Sequence, residues 1–482
     1  MDPGKGRNVS EIYDLIVIGA GPGGYESALE AAKLGLKTAI IEKDAVGGTC
    51  LNRGCIPTKT LMHSSDLCMQ IRGSSRFGIG AGEPSVDMEA VQRHKDETVA
   101  ALQKGILSLF KTRKVTLYPG IGTILPSDVF AAKEEHWVRV TASDGSQTLL
   151  EAKRILLATG SIPSRPPIPG LDLPGVMTSD ELLSYKGAPF GSLLIIGGGV
   201  IGIEFAGIYQ NFGTKITVVE ALPSLLANMD KELGQSLKLS LKKKGADIHT
   251  SASVQRLEQN PDGTIATVFL EKEKEISITA DAVLVAVGRR AYTGGAFAEG
   301  AAPAMDRGRV VVDASYQTSI PGIYAIGDVN GQIQLAHAAA AQGRRAVRTM
   351  AAQLGYLSGA DVSGKEPLLI PSCVYTDPEI ACVGMTLDEA KAAGLAAKSH
   401  KIVSSANGKS VLSLQERGFI KVVYLEDTHV ILGAQLLCAR ATDMVSEFAV
   451  AIRQQMTMEQ MADIVRPHPT FSEMITDAAA IG

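Results

Sequence analysis

Residues 13–42, YDLIVIGAGPGGYESALEAAKLGLKTAIIE, decide the fold. Tyr13 to Ile18 is a short apolar run of the kind that forms a strand buried on both faces. A glycine-rich turn follows at once, with Gly19, Gly21 and Gly24 in the order GxGxxG, and then Ala28, Ala31, Ala32 and Leu34 at helical spacing. A second apolar run ends in Glu42, 23 residues after Gly19. A GxGxxG alone is weak evidence. With a strand before it, a helix behind it and an acid at that distance, it reads as the βαβ unit that binds a dinucleotide. The glycines make the turn and admit the pyrophosphate, the helix N-terminus faces its charge, and the acid takes a ribose 2′-OH.

The same unit returns at residues 193–220, LLIIGGGVIGIEFAGIYQNFGTKITVVE. Gly197, Gly199 and Gly202 repeat the glycine pattern, and Glu220 again stands 23 residues after the first glycine. Two such units in one chain imply two dinucleotides.

Between them lies GGTCLNRGCIPTK, residues 47–59, with Cys50 and Cys55 separated by four residues. Gly47, Gly48 and Gly54 leave room for a close approach to something flat or phosphorylated. From Cys55 onward the pattern suits a helix with Pro57 in its first turn, so Cys55 would sit at a helix N-terminus whose dipole stabilises a thiolate. The chain has only six cysteines, and in a reducing compartment a close pair is more often catalytic than structural. Zinc is the competing use of paired cysteines. The four-residue gap lies at the upper limit of ligand spacing, however, and no second Cys or His pair completes a site.

With 482 residues the chain exceeds one ordinary core, and roughly two to four domains are expected. Hydrophobic residues at 45%, 50 glycines and a net charge of -4 describe an α/β enzyme with no electrostatic footprint for nucleic acid or an anionic membrane. The opening residues MDPGKGRNVSEIYD have no apolar core of a secretory signal, and the most apolar run, residues 193–203, is only about half a membrane span. A cytoplasmic location is expected. Residues 87–113 read as one or two surface helices, and the alternating residues 115–140 and 148–158 as strands. Proline-rich SIPSRPPIPG, from Ser161, reads as a linker. From Pro371 the pattern changes to an antiparallel sheet with helices on one face.

With both βαβ units and the cysteine pair in place, residues 13–477 resemble the flavoprotein disulfide reductases. The shared order is a βαβ unit for FAD, the cysteine pair, the ATG turn before Ser161, a βαβ unit for NAD, the strand GIYAIGD, and an interface domain closing in HPTFSE. The resemblance implies two Rossmann-like dinucleotide-binding domains, for FAD and NAD, plus a C-terminal α+β dimerisation domain. The expected boundaries are 1–162 and 284–365 for the two parts of the FAD domain, 163–283 for the NAD domain and 366–482 for the interface domain. It also implies a homodimer in which each active site is completed by the partner's C-terminal domain. Within the family, CLNRGCIPTK is most similar to members that oxidise protein-bound dihydrolipoyl groups with NAD, so a lipoyl-carrying protein of a multienzyme complex is the implied partner. The alternatives are an NADP-dependent disulfide reductase of the glutathione-reducing kind, or an NADH-using flavin oxidase or transhydrogenase.

Site residues follow from the resemblance. Gly19, Gly21, Gly24, Glu42, Lys43, Gly48 and Thr49 would hold FAD, with Gly122 on its adenine side. Thr159, Gly160, Ser161, Asp328, Leu335, Ala336 and His337 would run along the rest of it. Gly197, Gly199, Gly202, Glu220, Val254 and Gly288 would hold NAD. Lys59 would pair with Glu204 beside the flavin, since a buried acid after GGGVIGI needs a partner. Cys50 would exchange with the dithiol substrate and Cys55 would face the flavin. His468, oriented by Glu473, would take the thiol proton. Glu220 favours NAD over NADP, because a carboxylate repels a 2′-phosphate and the following ALPSLLA offers no arginine to receive one. Two features depart from the family: residues 438–443, CARATD, replace a glycine-rich turn, and Arg466 stands where a second histidine is common.

Overall fold

The computed structural model describes residues 12–126, 135–358, 367–415 and 417–481. The opening residues read as non-secretory and the expected boundary at 365/366 lie outside them. Two compact units emerge, both assembled from separated segments.

The first unit comprises residues up to Thr60, Glu89–Ser164 and Gly288–Leu368. Its seven-stranded sheet centres on β1 (Ile12–Ile18), which pairs in parallel with β2 (Thr38–Glu42) on one side and with Gln147–Leu157 on the other. The β1 core positions Leu15, Ile16 and Val17 are fully buried, as a strand covered on both faces requires. Helix α1 (Pro22–Lys33) crosses Ala336–Gln353 at small residues: a Cβ on Gly23 would come within 3.1 Å of the Ala339 Cβ, and one on Gly343 within 2.0 Å of the Ser27 Oγ. Residues 87–113, open between one helix and two, form the single helix Met88–Arg113. Part of the expected linker is a strand instead: Ser161–Pro163 pairs antiparallel with Arg289–Ala291, held by Arg289 Nε donating to the Ser161 Oγ at 2.8 Å. Prolines tolerate such an edge position because one side of the strand needs no ladder donors.

The second unit comprises Leu61–Met88, Arg165–Val287 and the residues from Leu369 on. It contains a five-stranded parallel sheet in the order Asp247–Thr250, Lys215–Glu220, Ser192–Ile196, Ala282–Val285, Val176–Thr178. A three-stranded antiparallel sheet follows Ala252, and the C-terminal region forms a five-stranded antiparallel sheet from Ser372–Val374 to Ala397–Val403. The core of that last sheet runs through Ile420, Leu436, Phe448 and Met474, which buries the sheet under helices Ala441–Arg453 and Glu473–Ala479. The expected change to an α+β module after Pro371 is therefore present.

Both glycine turns are built alike. A Cβ on Gly24 would meet the Gly19 oxygen at 1.8 Å, and one on Gly202 the Gly197 oxygen at 2.1 Å. Gly19 and Gly197 also share a left-handed backbone, with φ of 100° and 114°, against the ends of equivalent strands at Ala158 and Ala286. Only glycine fits these positions.

One acid in the second unit carries a measurable cost. Asp66 lies in a small pocket with Lys244, Tyr375 and Asp377, and accepts from Asn211 Nδ2 at 3.2 Å. Burial, and then the charge of Asp377, push its carboxyl up to about 6, against the pull of Lys244 and His63. An acid whose folded-state value is raised binds its proton more tightly folded than unfolded, so its contribution is present below about pH 4 and lost as pH rises through about 6. Asp66→Asn should therefore stabilise the holoprotein by about 1–3 kcal/mol near pH 7.5 and by nothing near pH 4, read by denaturant unfolding at the two values. Equal effects at both would contradict the assignment.

Candidate active site

The cysteine pair is helical rather than looped. Cys50 lies inside the short helix α2 (Gly48–Arg53), and Cys55 opens the longer α3 (Cys55–Gly73). Glycines make this possible. Gly47 and Gly48 have φ of 98° and 57°, and a Cβ on Gly54 would meet the Thr49 oxygen at 2.9 Å, so α3 can start directly behind α2. A Cβ on Gly48 would also lie 2.5 Å from the Gly21 Cα, and Gly47 donates to the Ala20 carbonyl at 2.7 Å. The cysteines are thus laid on the first glycine turn. Asn52, between them, holds the arrangement: its Nδ2 donates to the carbonyls of Ala45, Val46 and Gly48, and its Oδ1 accepts from Gln103.

Cys55 is exposed and Cys50 half-buried. Hydrogen bonding to the Cys55 sulfur, followed by burial, pushes the Cys50 thiol far above its ordinary value, while the Cys55 backbone N–H and the Lys59 ammonium pull the other way. The α3 N-terminus reaches Cys50 through the Cys55 N–H, so its field is shared by both sulfurs rather than confined to Cys55.

The two acids have matching surroundings. Glu42 accepts from Ala20 N–H at 2.7 Å and Asp44 N–H at 2.9 Å; Glu220 accepts from Gly198 N–H at 2.5 Å and Leu222 N–H at 2.6 Å. Each carboxylate is fixed at the mouth of its glycine turn and keeps lone pairs for a ribose. Gly199 has nothing within 4 Å of an added Cβ, and Gly21 has only the Gly48 Cα, at 3.9 Å. Neither α1 nor Val200–Asn211 has a side-chain cap, so their first N–H groups are available to a pyrophosphate. Both turns fit a dinucleotide.

Other expected cofactor residues gather in the first unit. Ser161 Oγ donates to Asp328 Oδ2 at 2.5 Å, and burial raises the Asp328 carboxyl despite that bond and the nearby Arg289 charge. The turn carrying Asp328 is held by buried Gln342, whose Oε1 accepts from Gly327 N–H and Asn330 Nδ2. Thr159 Oγ1 donates to the Tyr292 carbonyl at 2.6 Å, and Gly160 has a φ of 71°. Leu335 caps the helix that Ala336 and His337 begin, again with no side-chain cap. A Cβ on Gly122 would press within 3.2 Å of both Ile18 and Ile41 side chains, which explains the glycine by packing. Thr49 lies one residue before Cys50 in α2.

In the second unit, Val254 sits beside a bulge opposite Phe269, and Gly288, at the start of the returning first-unit segment, has a φ of 104°. Glu204 is buried, 4% exposed, and accepts from Tyr375 N–H at 3.1 Å. His468 Nδ1 lies 2.8 Å from Glu473 Oε1, and Glu473 Oε2 accepts from Thr470 N–H at 2.7 Å. The Thr470 N–H and then His468 hold the Glu473 carboxyl below its ordinary value. The imidazole is 79% exposed, with its other nitrogen available. The two departures are also explained locally. Arg440, within CARATD, adopts the left-handed φ of 61° where glycine is common, and Thr442 binds Glu379. The Arg466 side chain is buried and ties Glu447, the carbonyls of Met461 and Ile464, and Thr476 around the turn before His468.

Comparison with known proteins matches this geometry. The sequence profile described as pyridine nucleotide-disulphide oxidoreductase covers residues 13–343, and that of the family's dimerisation domain covers residues 370–479. The chain belongs to the pyridine nucleotide-disulphide oxidoreductases. It is 38% identical to a dihydrolipoyl dehydrogenase of Bacillus subtilis, over 97% of both chains, and 37% identical to one of Geobacillus stearothermophilus, over 97% of this chain and 96% of the other. Among solved structures, LpdA from Mycobacterium tuberculosis superposes with a TM-score of 0.86 at 27% identity, over 96% of this chain and 98% of that one. The HOCl-induced flavoprotein disulfide reductase RclA from Escherichia coli reaches 0.83 at the same identity, over 97% and 99%.

This oxidoreductase is accordingly an NAD-dependent flavoprotein disulfide oxidoreductase with FAD and NAD as cofactors. Residues that sequence reading passed over are Asn52, Gln342 and Tyr292. Asn52 alone left a local trace, as a polar residue between the two cysteines. Among the described residues no helix is long and apolar enough to cross a membrane.

Proposed function

We propose that this enzyme oxidises dihydrolipoyl groups carried on another protein and passes their electrons to NAD, working in the cytoplasm as a homodimer that serves a multienzyme complex. The observation that carries the reading is the Cys50–Cys55 pair, set in two successive helices that Gly48 lays on the first glycine turn. The relatives named dihydrolipoyl dehydrogenase, alike over nearly the whole chain, support the substrate. The reading divides the chain at 162/163, 283/284 and 365/366 into FAD, NAD, FAD and interface segments.

Oxidised, Cys50 and Cys55 form a disulfide. His468, held by Glu473, removes the proton from one substrate thiol, and that thiolate attacks the Cys50 sulfur. The S–S bond breaks and Cys55 leaves as a thiolate. The second substrate thiol loses its proton, attacks the first substrate sulfur and closes the lipoyl disulfide, and Cys50 departs and takes up a proton. In this reading Cys50 carries the proton and Cys55, which opens α3, carries the negative charge at that helix N-terminus. FAD, when bound, supplies the two-electron exchange between this thiol pair and NAD. In this reading Gly19, Gly21, Gly24, Glu42, Lys43, Gly48, Thr49, Gly122, Thr159, Gly160, Ser161, Asp328, Leu335, Ala336 and His337 hold FAD. Gly197, Gly199, Gly202, Glu220, Val254 and Gly288 hold NAD, and Lys59 pairs with Glu204.

The test is a side-by-side rate measurement. Free dihydrolipoamide with NAD should give NADH rapidly, NADP should be a much poorer acceptor, and glutathione disulfide with NADPH should give little turnover. A lower KM for NADP than for NAD would contradict the role of Glu220, and faster glutathione reduction would contradict the substrate.

A further inference from the structure

Tyr292 and Lys43 meet over the first nucleotide site, and nothing in the reaction uses the contact. Lys43 directly follows Glu42, the acid fixed at the glycine turn, and its Nζ lies 3.8 Å from the centroid of the Tyr292 ring. Tyr292 is anchored on its backbone: its N–H donates to the Gly160 carbonyl at 2.9 Å, and its own carbonyl accepts from Thr159. Gly294 lies close beside the ring, since a Cβ there would come within 3.1 Å of three of its atoms. The loop beyond is tied to the strand bearing Gly122, with Thr123 Oγ1 donating to the Gly295 carbonyl and Ile124 N–H to the Ala296 carbonyl, both at 2.8 Å. The Tyr292 backbone is therefore tied to the Thr159–Gly160 turn and the loop after it to the Gly122 strand, which sets where its ring stands. Its charged neighbour, by contrast, is an exposed lysine on a flexible stem, which swings aside at little cost.

We propose that Lys43 and Tyr292 form a cation–π latch across the adenosine end of the FAD site, closing behind the bound cofactor and slowing its escape. The inference rests on assigning FAD to the first βαβ unit. It predicts an effect on release of the cofactor rather than on chemistry, because the latch lies beside the ribose-binding acid and not beside the cysteines. Cation–π contacts of this kind are weak at exposed sites and stronger when desolvated, so opening the latch should speed release by about threefold to tenfold.

The experiment follows FAD loss from holoenzyme at elevated temperature by the rise in flavin fluorescence. Lys43→Met and Tyr292→Ala should each release FAD about threefold to tenfold faster, Tyr292→Phe should behave as the parent, and NADH binding should be unchanged in all. The double variant should be no faster than the faster single one, because the two residues form one contact. Release at the parent rate in Lys43→Met, or single effects that multiply fully in the double variant, would overturn the latch. Lys43 is exposed, so its variant carries the test even if Tyr292→Ala fails to fold. A purified enzyme that carries no flavin and takes up none would instead sink the assignment of FAD to this site.

Discussion

Cys50→Ser should abolish lipoamide-dependent turnover, by about a thousandfold or more, while FAD stays bound. A serine hydroxyl neither forms a disulfide with Cys55 nor leaves at neutral pH, so no path remains from substrate thiol to the sulfur pair. The substitution leaves Cys55 as a lone thiol at the α3 N-terminus. FAD retention is expected because the glycine turn is closed by the backbones of Gly47 and Gly48, which the substitution leaves alone. Turnover is read as NADH formed from dihydrolipoamide, and flavin content by absorbance of the protein fraction. Substantial turnover in the variant would mean that the chemistry bypasses the pair.

His468→Gln should lower the same turnover by about 10²–10⁴-fold with a small change in KM. Glutamine fills a similar volume in an exposed side chain but cannot accept the thiol proton. Glu473→Gln should produce a smaller loss: Thr470 N–H would still have an oxygen to reach, while the imidazole would lose the carboxylate that fixes its orientation. Rate profiles against pH separate the roles, since loss of the base removes the rise in rate on its acidic side. A His468→Gln enzyme that retains most of its turnover would transfer the base role elsewhere.

Much of this protein was legible because its two nucleotide turns depend on local spacing. Gly19 and Gly24 must be glycine for a reason visible within six residues, and Glu42 reaches Ala20 N–H from the end of the adjacent strand. The pair His468 and Glu473 also closes over a short separation. The helical form of the cysteine segment was less legible, because Gly47 and Gly48 read as loop formers. Their positive φ values instead start a helix against Gly21, a contact made with residues far back in the chain. Tyr292 was hidden for the same physical reason, as were the contacts of Arg466: the partners lie on other elements, and nothing beside these residues in sequence marks the contact. The strand at Ser161–Pro163 was masked by prolines that a paired edge tolerates.

Anaerobic titration of the oxidised holoenzyme with dithionite tests the central claim most directly. If the Cys50–Cys55 disulfide lies in series with the flavin, the enzyme should take up about four electrons per subunit, two in the sulfur pair and two in FAD. Uptake of only about two in the parent enzyme would show that the sulfurs are not part of the redox path and would contradict the account.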